Sequence, residues 1–511
     1  MAHPDWVLEY RAKGKEIKKI SGNYYLYEVS SFYDKEQKRT IKKSGEFLGR
    51  ITESGLLAKG SKSLGAVPRR VSVKEWGASS LLEELLQEEI LLLQVYLPNH
   101  WESILVCSIF RLLYQSAFKQ MQWHYESSYL SERYKNLPLS GKQITSWLRK
   151  VGENREALVS VMQGLQGGED CIIVDNTHIT TLSNKNLSAQ VGYNSQRQFD
   201  TQINLLYLFS QDKQMPVFYR CVQGSVREVR SLRLTMEESG LKSAILVADK
   251  GFYSANNVEV LDNENWQYVL PLRRSSKLCN YEVLKTGDKK DFDGFFMFEK
   301  RAIWYKTYEN QEKNIHKRTI LFLDESLRVY ETQDYLSRIT QEKEGYSLSV
   351  FHEKQAQFGT ICLITNTTQT QEVKNQTDQT AQIITENMTP QKVFEYLKSR
   401  NDIEQLNDTY KNVLQADKTY MQSEAAMEAW HFINFFAIRA YYRLFAIINQ
   451  CGITQKLSPA DVLLLLQSKK KVKINHQWVE TEIPKKTQAV LDKIAPALLP
   501  KPNLLPKQRK S

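Results

Sequence analysis

Two short stretches decide the fold: Cys-Ile-Ile-Val-Asp at residues 171–175 and Ala-Ile-Leu-Val-Ala-Asp at residues 244–249. Each is an apolar run typical of a strand buried on both faces. Each predicts a strand that ends at an acid, Asp175 in the first and Asp249 in the second. Because ligands gather at the carboxyl ends of strands in open sheets, we expect both acids at one edge of a sheet.

The segments around these strands predict the rest of a mixed sheet. Strand patterns occur at 203–209 and 216–222, followed by a helical pattern at 227–238. After the strand that ends at Asp249 come a short helix near 256–261 and a strand at 268–272. The resulting order, β-β-β-α-β-α-β, is that of the RNase H-like fold.

Beyond Arg274 the helical periodicity is lost for about a hundred residues. Strand-like segments predict a β-rich insertion that closes with a polar tract, 366–387, expected to be an exposed linker. Thr389 and Pro390 then supply an N-cap and a first-turn proline for a new helix. This helix is expected to carry a third acid, Glu404.

The chain is predicted to be a multidomain α/β protein, because 511 residues exceed what one hydrophobic core usually serves. The predicted segments are a basic β-rich DNA-binding domain (1–70), a helical domain with a candidate helix-turn-helix (71–165), the first part of an RNase H-like core (166–274), the β-rich insertion with its linker (275–388), core helices with the third acid (389–450) and a basic C-terminal region (451–511).

The net charge of +11 is concentrated near the N-terminus, where residues 1–70 hold 15 Lys and Arg against 8 Asp and Glu. Such clusters attract phosphate backbones, although an acidic membrane surface, a ribosome or plain solvation would explain them too. We expect DNA contacts from Lys15, Lys18 and Lys19. A second predicted set, Lys142, Arg149 and Lys150, surrounds a helix capped by Ser140, which is either a DNA-reading helix or an ordinary bundle helix.

No apolar stretch reaches the roughly 18 to 20 residues needed to span a bilayer, and the N-terminus lacks a secretion signal. The six cysteines are scattered without paired spacing, which fits reduced thiols and implies no zinc site. We therefore expect a cytoplasmic protein without membrane contact.

Asp175, Asp249 and Glu404 have the chemistry that a polynucleotide-cleaving site needs. Such a site holds two divalent cations, and Mg²⁺ prefers hard oxygen ligands such as carboxylates. Arg400 and Lys411 lie four residues before and seven residues after Glu404, a spacing that places all three near one helix face. Taken singly, each aspartate could be a turn or cap residue and Glu404 a surface partner of Arg400, so the prediction depends on the whole set.

These residues resemble motifs of the bacterial insertion-sequence DDE transposases. Asp249-Lys250-Gly251-Phe252-Tyr253 is similar to the second-aspartate motif, and Val174-Asp175-Asn176-Thr177 to the first. Tyr396, Arg400, Glu404 and Lys411 resemble the Y-R-E-K signature of the branch with a β domain before the glutamate. Three residues separate Tyr396 from Arg400 where two are usual.

The resemblance implies a transposase that binds terminal inverted repeats, hydrolyses a strand to free a 3′-OH and joins that end to target DNA. It also implies that Asp175, Asp249 and Glu404 bind two Mg²⁺ ions, with Mn²⁺ as a substitute. Arg400 and Lys411, together with Tyr396, become DNA contacts. A homodimer on paired double-stranded DNA ends is expected on the same basis.

Two other functions remain open from the sequence. A transposase descendant that binds DNA but is catalytically inert would keep the basic segments, although the intact acids argue against it. An RNase H-like, structure-specific nuclease would use the same three acids without joining strands.

Overall fold

The structure is a computed structural model that describes residues 3–59, 71–167, 171–183, 186, 189–193, 199–223, 229–241, 245–312, 315–374, 381–474 and 477–494. Its helices, in chain order, are α1 (Asp5–Leu8), α2 (Gly77–Leu85), α3 (Gln87–Tyr96), α4 (Trp101–Tyr114), α5 (Met121–Ser127), α6 (Leu130–Arg133), α7 (Gly141–Glu153), α8 (Arg155–Gly164), α9 (Val229–Ser239), α10 (Ala255–Asn263), α11 (Glu325–Thr340), α12 (Leu348–Lys354), α13 (Pro390–Lys398), α14 (Arg400–Asp408), α15 (Glu424–Gln450), α16 (Pro459–Gln467) and α17 (Lys485–Ile494).

Its strands are β1 (Lys15–Ile20), β2 (Asn23–Asp34), β3 (Arg39–Thr52), β4 (Gly55–Ala58), β5 (Ser72–Glu75), β6 (Cys171–Thr181), β7 (Gln190–Tyr193), β8 (Phe199–Ser210), β9 (Met215–Gln223), β10 (Ile245–Val247), β11 (Gln267–Pro271), β12 (Gly294–Phe298), β13 (Arg301–Glu312), β14 (Ile315–Asp324), β15 (Thr360–Thr365), β16 (Thr368–Lys374), β17 (Ala381–Asn387), β18 (Lys418–Thr419), β19 (Lys470–Ile474) and β20 (Gln477–Glu480).

The chain divides into two compact units, one of Met1–Leu81, Trp123–Asn136 and Gln455–Ser511, the other of Leu82–Gln122 and Leu137–Thr454. In the first unit, β1 to β4 form an antiparallel meander over a small core that includes Leu26 and Ile51. A second sheet has the order β20-β19-β5, so the start of the predicted helical domain pairs with the predicted C-terminal region. The predicted six-segment division itself stays a prediction.

The second unit is a mixed α/β structure built on a large sheet. Its central strands follow the order β9-β8-β6-β10-β11. The pairs β9–β8 and β8–β6 are antiparallel, and the pairs β6–β10 and β10–β11 are parallel. The predicted succession of three strands, a helix, a strand, a helix and a strand is therefore present, in β6, β8, β9, α9, β10, α10 and β11.

The prediction that the first strand ends at Asp175 is wrong, because β6 continues to Thr181. The continuation is polar in sequence, but Thr177, Ile179 and Thr181 alternate along it and are buried. A period-two pattern of β-branched residues is typical of a strand with one covered face. The polar residues between them disguise this pattern in the sequence.

The predicted β-rich insertion contains the expected strands, but two further expectations about it are wrong. It includes the helices α11 and α12, each begun by a side-chain N-cap, Asp324 and Ser347 respectively. The tract 366–387, expected to be an exposed linker, contains the paired strands β16 and β17. The strands β12 to β15 also extend the main sheet, because β15 pairs with β11.

The long helix α15 lies at the core of the second unit and buries polar as well as apolar side chains. Arg439 is 1 % exposed and donates to Glu89, with Nε 2.7 Å from Oε1. Its Nη1 donates to the carbonyl of Pro216 at 2.7 Å. Because a buried charge must be paired and hydrogen-bonded, this contact ties α15 to α3 and to the start of β9.

Among the described residues, no helix combines the length and the apolar character needed to cross a membrane.

The helix α7 approaches α15 so closely that Gly152 has no room for a side chain. A Cβ at Gly152 would stand 1.7 Å from the carbonyl oxygen of Ala425, whereas a Cβ at Gly141 on the same helix would meet nothing within 4 Å. We expect Gly152→Ala to destabilise the protein by roughly 3 kcal/mol, since overpacking outweighs the gain of about 1 kcal/mol in helix propensity. Thermal and urea unfolding would measure the change.

The matched control is Gly141→Ala, which should leave stability unchanged or slightly raised. Equal stability of the Gly152→Ala and wild-type proteins would contradict the close packing of these two helices.

Candidate active site

The sheet register places Asp175 and Asp249 at the same level. Val247, the last residue of β10, pairs in parallel with Ile173 of β6. Asp249 and Asp175 each lie two residues beyond that pair, and β6 continues while β10 has ended. The two acids are therefore neighbours at the point where β10 stops, although 74 positions of sequence separate them.

Asp249 begins the turn that connects β10 to α10. The backbone N–H of Lys250 donates to Asp249 Oδ1 at 2.6 Å, and that of Phe252 donates to the Asp249 carbonyl at 2.8 Å. Ser254 then caps α10 by accepting from the N–H of Asn257. An added Cβ at Gly251 would lie 3.6 Å from Asp249 Oδ2, in ordinary van der Waals contact.

The third acid lies on a helix that begins later than predicted. Thr389 caps α13 with Pro390 at its first turn, as the sequence predicts, but α13 ends at Lys398. After Ser399 the separate helix α14 begins at Arg400, and it carries both Arg400 and Glu404. The side chain of Thr389 thus caps a different helix from the one that holds Glu404.

Arg400 joins two of the three acids. Its Nη1 lies 3.1 Å from Asp249 Oδ1, and its Nη2 lies 3.1 Å from Glu404 Oε1. The pair with Glu404 is the ordinary i to i+4 contact on one helix, but the pair with Asp249 connects α14 to the end of β10. The Nε of Arg400 is buried without a hydrogen-bond partner among the described residues.

With this guanidinium between Asp249 and Glu404, the described residues contain no group of three or more His, Cys, Asp and Glu side chains arranged to hold a metal ion directly. Each carboxylate nevertheless has a second oxygen outside its contact with Arg400. Asp249 is 45 % and Glu404 57 % exposed, so both remain accessible from solvent.

Asp175 lies deeper, and its charge is costly. Burial raises the pKa of the Asp175 carboxyl, and the negative charges of Asp249 and Glu404 raise it further, against the opposing charge of Arg400. Asn407 of α14 donates from Nδ2 to Asp175 Oδ2 at 2.6 Å. The three acids therefore share one electrostatic environment.

Asn407 is the site residue that the sequence prediction missed. A signal for it exists in the spacing, because positions 400, 404, 407 and 411 follow one another at the intervals of a single helix face. The side chain of Asn407 is uncharged, so the pattern of acidic and basic residues on this helix face does not reveal it.

Lys411 lies beyond α14, in a π-helical turn at Thr409–Val413. Burial lowers the pKa of Lys411, while the charges of Asp175 and Asp417 oppose that change. Two buried hydrogen bonds stabilise the turn. The Tyr410 hydroxyl lies 2.6 Å from His431 Nδ1, and Arg111 donates to the carbonyl of Leu414. Burial lowers the pKa of His431 to about 3, so the ring that shares this hydrogen bond with the Tyr410 hydroxyl is neutral.

His178 and Tyr396, two other residues near the predicted motifs, are each influenced by a neighbouring lysine. His178 of β6 lies near Lys411, and burial followed by that positive charge lowers the pKa of His178. Tyr396 is 8 % exposed, and Lys392 Nζ lies 4.9 Å from the centre of its ring. Its assignment as a DNA contact stays a prediction.

The predicted basic DNA contacts lie on two separate elements. Lys15 and Lys19 are exposed on β1, and Lys18 Nζ donates to Ser44 at 2.7 Å. Lys142, Arg149 and Lys150 are exposed on α7.

The helix α7 packs in the manner of a bundle helix. Its buried face contains Ile144, Trp147, Leu148 and Val151. Ser140 caps it, as the sequence predicts, and forms a capping box with Gln143. The part of the C-terminal basic region at 495–511 lies outside the described residues.

A family model for the transposase DDE domain matches residues 166–439, which is more than half of the chain. The chain belongs to the DDE transposase family. The match confirms the resemblance found in the sequence and spans Asp175, Asp249 and Glu404. No curated protein sequence matches this transposase significantly.

Among solved structures, the cryo-EM structure of the piggyBac transposase synaptic complex with hairpin DNA is similar to this transposase over 83 % of this chain and 77 % of that one. The sequence identity is 12 % and the TM-score is 0.36.

The unfavourable free energy of the Asp175 charge can be measured through the thermal stability of the protein. Because its pKa is raised in the folded state, the protonated form favours folding, and that contribution is lost as the pH rises through the raised pKa. We expect Asp175→Asn to unfold at a higher temperature than the wild type at pH 7, with the difference vanishing below about pH 4. Thermal unfolding of both proteins across this pH range would measure it.

A variant that is less stable than the wild type at pH 7 would contradict the environment described for Asp175. Glu395→Gln on α13 is a suitable control, because Glu395 lies outside the site in a surface pair with Lys392. Its effect on the unfolding temperature should be small.

Proposed function

We propose that this transposase cuts a DNA strand in a metal-dependent reaction and joins the freed 3′-OH to target DNA. The observation that carries the proposal is the convergence of three acids from distant parts of the chain. Arg400 contacts Asp249 and Glu404, and Asp175 lies within the electrostatic influence of both acids. Residues that repel one another are seldom brought together unless a function requires it.

The strand arrangement supports an RNase H-like catalytic core. In the order β9-β8-β6-β10-β11, two antiparallel pairings are followed by two parallel ones. Asp175 lies on the central strand β6 and Asp249 just after its neighbour β10. The strands of the insertion lengthen this sheet beyond β11.

The residues at the site suit Mg²⁺, with Mn²⁺ as a substitute. Three carboxylates and the Asn407 carboxamide offer the hard oxygens that Mg²⁺ prefers. Asp175, Asp249 and Glu404 would hold two such ions. When bound, the ions lower the barrier to in-line attack on a phosphodiester by activating the attacking oxygen and stabilising the leaving oxygen.

The cationic side chains have a separate role at the DNA backbone. Arg400 lies at the site through its contacts with Asp249 and Glu404, and its guanidinium would donate to a phosphate oxygen of the bound DNA. Lys411 lies in the π-helical turn, where its charge interacts with that of Asp175. Together they would hold the scissile phosphate against the acids, which is most of what a protein contributes to phosphoryl transfer.

Recognition of the DNA ends is assigned to basic surfaces outside the matched family domain. The lysines of β1 lie in the meander of the first unit, and those of α7 lie just before the matched residues. We propose that these surfaces bind the terminal inverted repeats, and that two copies act on paired ends in the bacterial cytoplasm.

The direct test is strand cleavage of a DNA that carries candidate terminal repeats. Asp175→Asn, Asp249→Asn and Glu404→Gln should each lower the Mg²⁺-dependent cleavage rate by on the order of 1,000-fold. Each variant removes a carboxylate that would hold the ions, and the ions would stabilise the charge that develops during the reaction. Glu395→Gln serves as the control and should cleave at the wild-type rate. If Asp175→Asn or Asp249→Asn cleaved DNA at the wild-type rate, the assignment of these acids as catalytic residues would be wrong.

The products distinguish the other functions left open by the sequence. Cleaved and joined strands support a transposase, cleavage of branched DNA without joining supports a nuclease, and binding without cleavage in any divalent cation supports an inert descendant.

A second prediction concerns the N-terminal lysines. Replacing Lys15, Lys18 and Lys19 by Ala should weaken DNA binding and reduce the slope of log affinity against log salt by up to about 3, because fewer counterions are released. Fluorescence anisotropy at several salt concentrations would measure the slope. The triple variant of Lys277, Lys343 and Lys354, exposed residues of the insertion, removes the same charge and controls for it. Identical salt slopes for the two triple variants would show that Lys15, Lys18 and Lys19 are not the main DNA contacts.

A further inference from the structure

The side chain of Asn407 lies between α14 and β6, beside the most buried acid of the site. It donates from Nδ2 to Asp175 Oδ2 at 2.6 Å. Its other polar atom, Oδ1, is buried and has no hydrogen-bond partner among the described residues. A buried acceptor without a partner is uncommon in a folded protein and calls for an explanation.

The orientation of the amide follows from its neighbour. A carboxylate accepts hydrogen bonds and donates none, so an ionised Asp175 must face the NH₂ group of Asn407. Turning the amide over would place two acceptor oxygens against each other. With Nδ2 donating to Asp175, Asn407 Oδ1 is directed away from that contact and has no hydrogen-bond partner in the part of the chain that the structure describes.

The position of Asn407 on α14 indicates what Oδ1 is for. Asn407 follows Arg400 and Glu404 at intervals of seven and three residues, which places all three on one helix face. The site already gathers three carboxylates, and the charges of Asp249 and Glu404 oppose that of Asp175. A carboxamide oxygen adds a hard ligand for a cation without adding a fourth negative charge.

We propose that Asn407 is the fourth oxygen-bearing residue of the cation site, where it positions Asp175 through Nδ2 and supplies Oδ1 to the divalent cation. This inference rests on the proposed function, because it takes Asp175 to be a ligand of that cation. It assigns two roles to one side chain, and the two roles respond differently to substitution.

The test is Mn²⁺ binding by the full chain without DNA, measured by electron paramagnetic resonance of free Mn²⁺. Asn407→Ala removes both roles and should weaken binding by about 10-fold or more. Asn407→Asp loses the donor but offers a carboxylate oxygen at the same place, so it should bind Mn²⁺ at least as tightly as the wild type. The control is Asn401→Ala, an exposed asparagine on the same helix, which should bind as the wild type does.

A second readout is thermal unfolding with and without Mn²⁺. In Asn407→Asp the added carboxylate faces Asp175, so the cation-free protein should unfold at a lower temperature than the wild type. Addition of Mn²⁺ should then raise its unfolding temperature by more than it raises that of the wild type.

Each outcome decides one claim. Wild-type Mn²⁺ affinity in Asn407→Ala would overturn the inference, and equal losses in Asn407→Ala and Asn407→Asp would overturn the ligand role of Oδ1. In both cases the proposed function stands if Asp175→Asn loses Mn²⁺ binding. If Asp175→Asn binds Mn²⁺ as the wild type does, the proposed function itself fails.

Discussion

The repulsion among three gathered carboxylates is the constraint around which the second unit is organised. Asp175 would hold its negative charge at little cost in water, but here burial and two neighbouring acids oppose that charge. Arg400 offsets part of the repulsion by contacting Asp249 and Glu404, and Asn407 offsets part by donating to Asp175. Because each compensating group comes from α14, the position of that helix on β6 decides whether the site exists.

The backbone around α14 is irregular in ways that serve this position. A break at Ser399 separates α13 from α14, so the direction of α14 is not fixed by the helix that Thr389 caps. At its other end a π-helical turn follows, and such turns are frequent at functional sites. Buried hydrogen bonds of Tyr410 and Arg111 hold this turn, in which the charge of Lys411 interacts with that of Asp175.

The sequence predicts what depends on local patterns and misses what depends on contacts. Apolar runs predict β10 and the start of β6, and cap chemistry predicts the start of α13. The extension of β6 past Asp175 is not predicted from the sequence, because its polar residues hide a period-two pattern. The pairing of β5 with β19 is not predicted either, because nearly 400 residues separate the two strands. The contact of Arg400 with Glu404 follows from their i to i+4 spacing, but the contact of Arg400 with Asp249 is tertiary and no spacing reveals it.

The most direct measurement is anomalous diffraction from a crystal of the full chain with bound Mn²⁺. We expect density about 2.1 Å from oxygens of Asp175 and Asp249, with Glu404 drawn to the same ions and Arg400 displaced from at least one carboxylate. Density at other acids only, while Arg400 still joins Asp249 to Glu404 at saturating Mn²⁺, would contradict the claim that these three acids form one cation site.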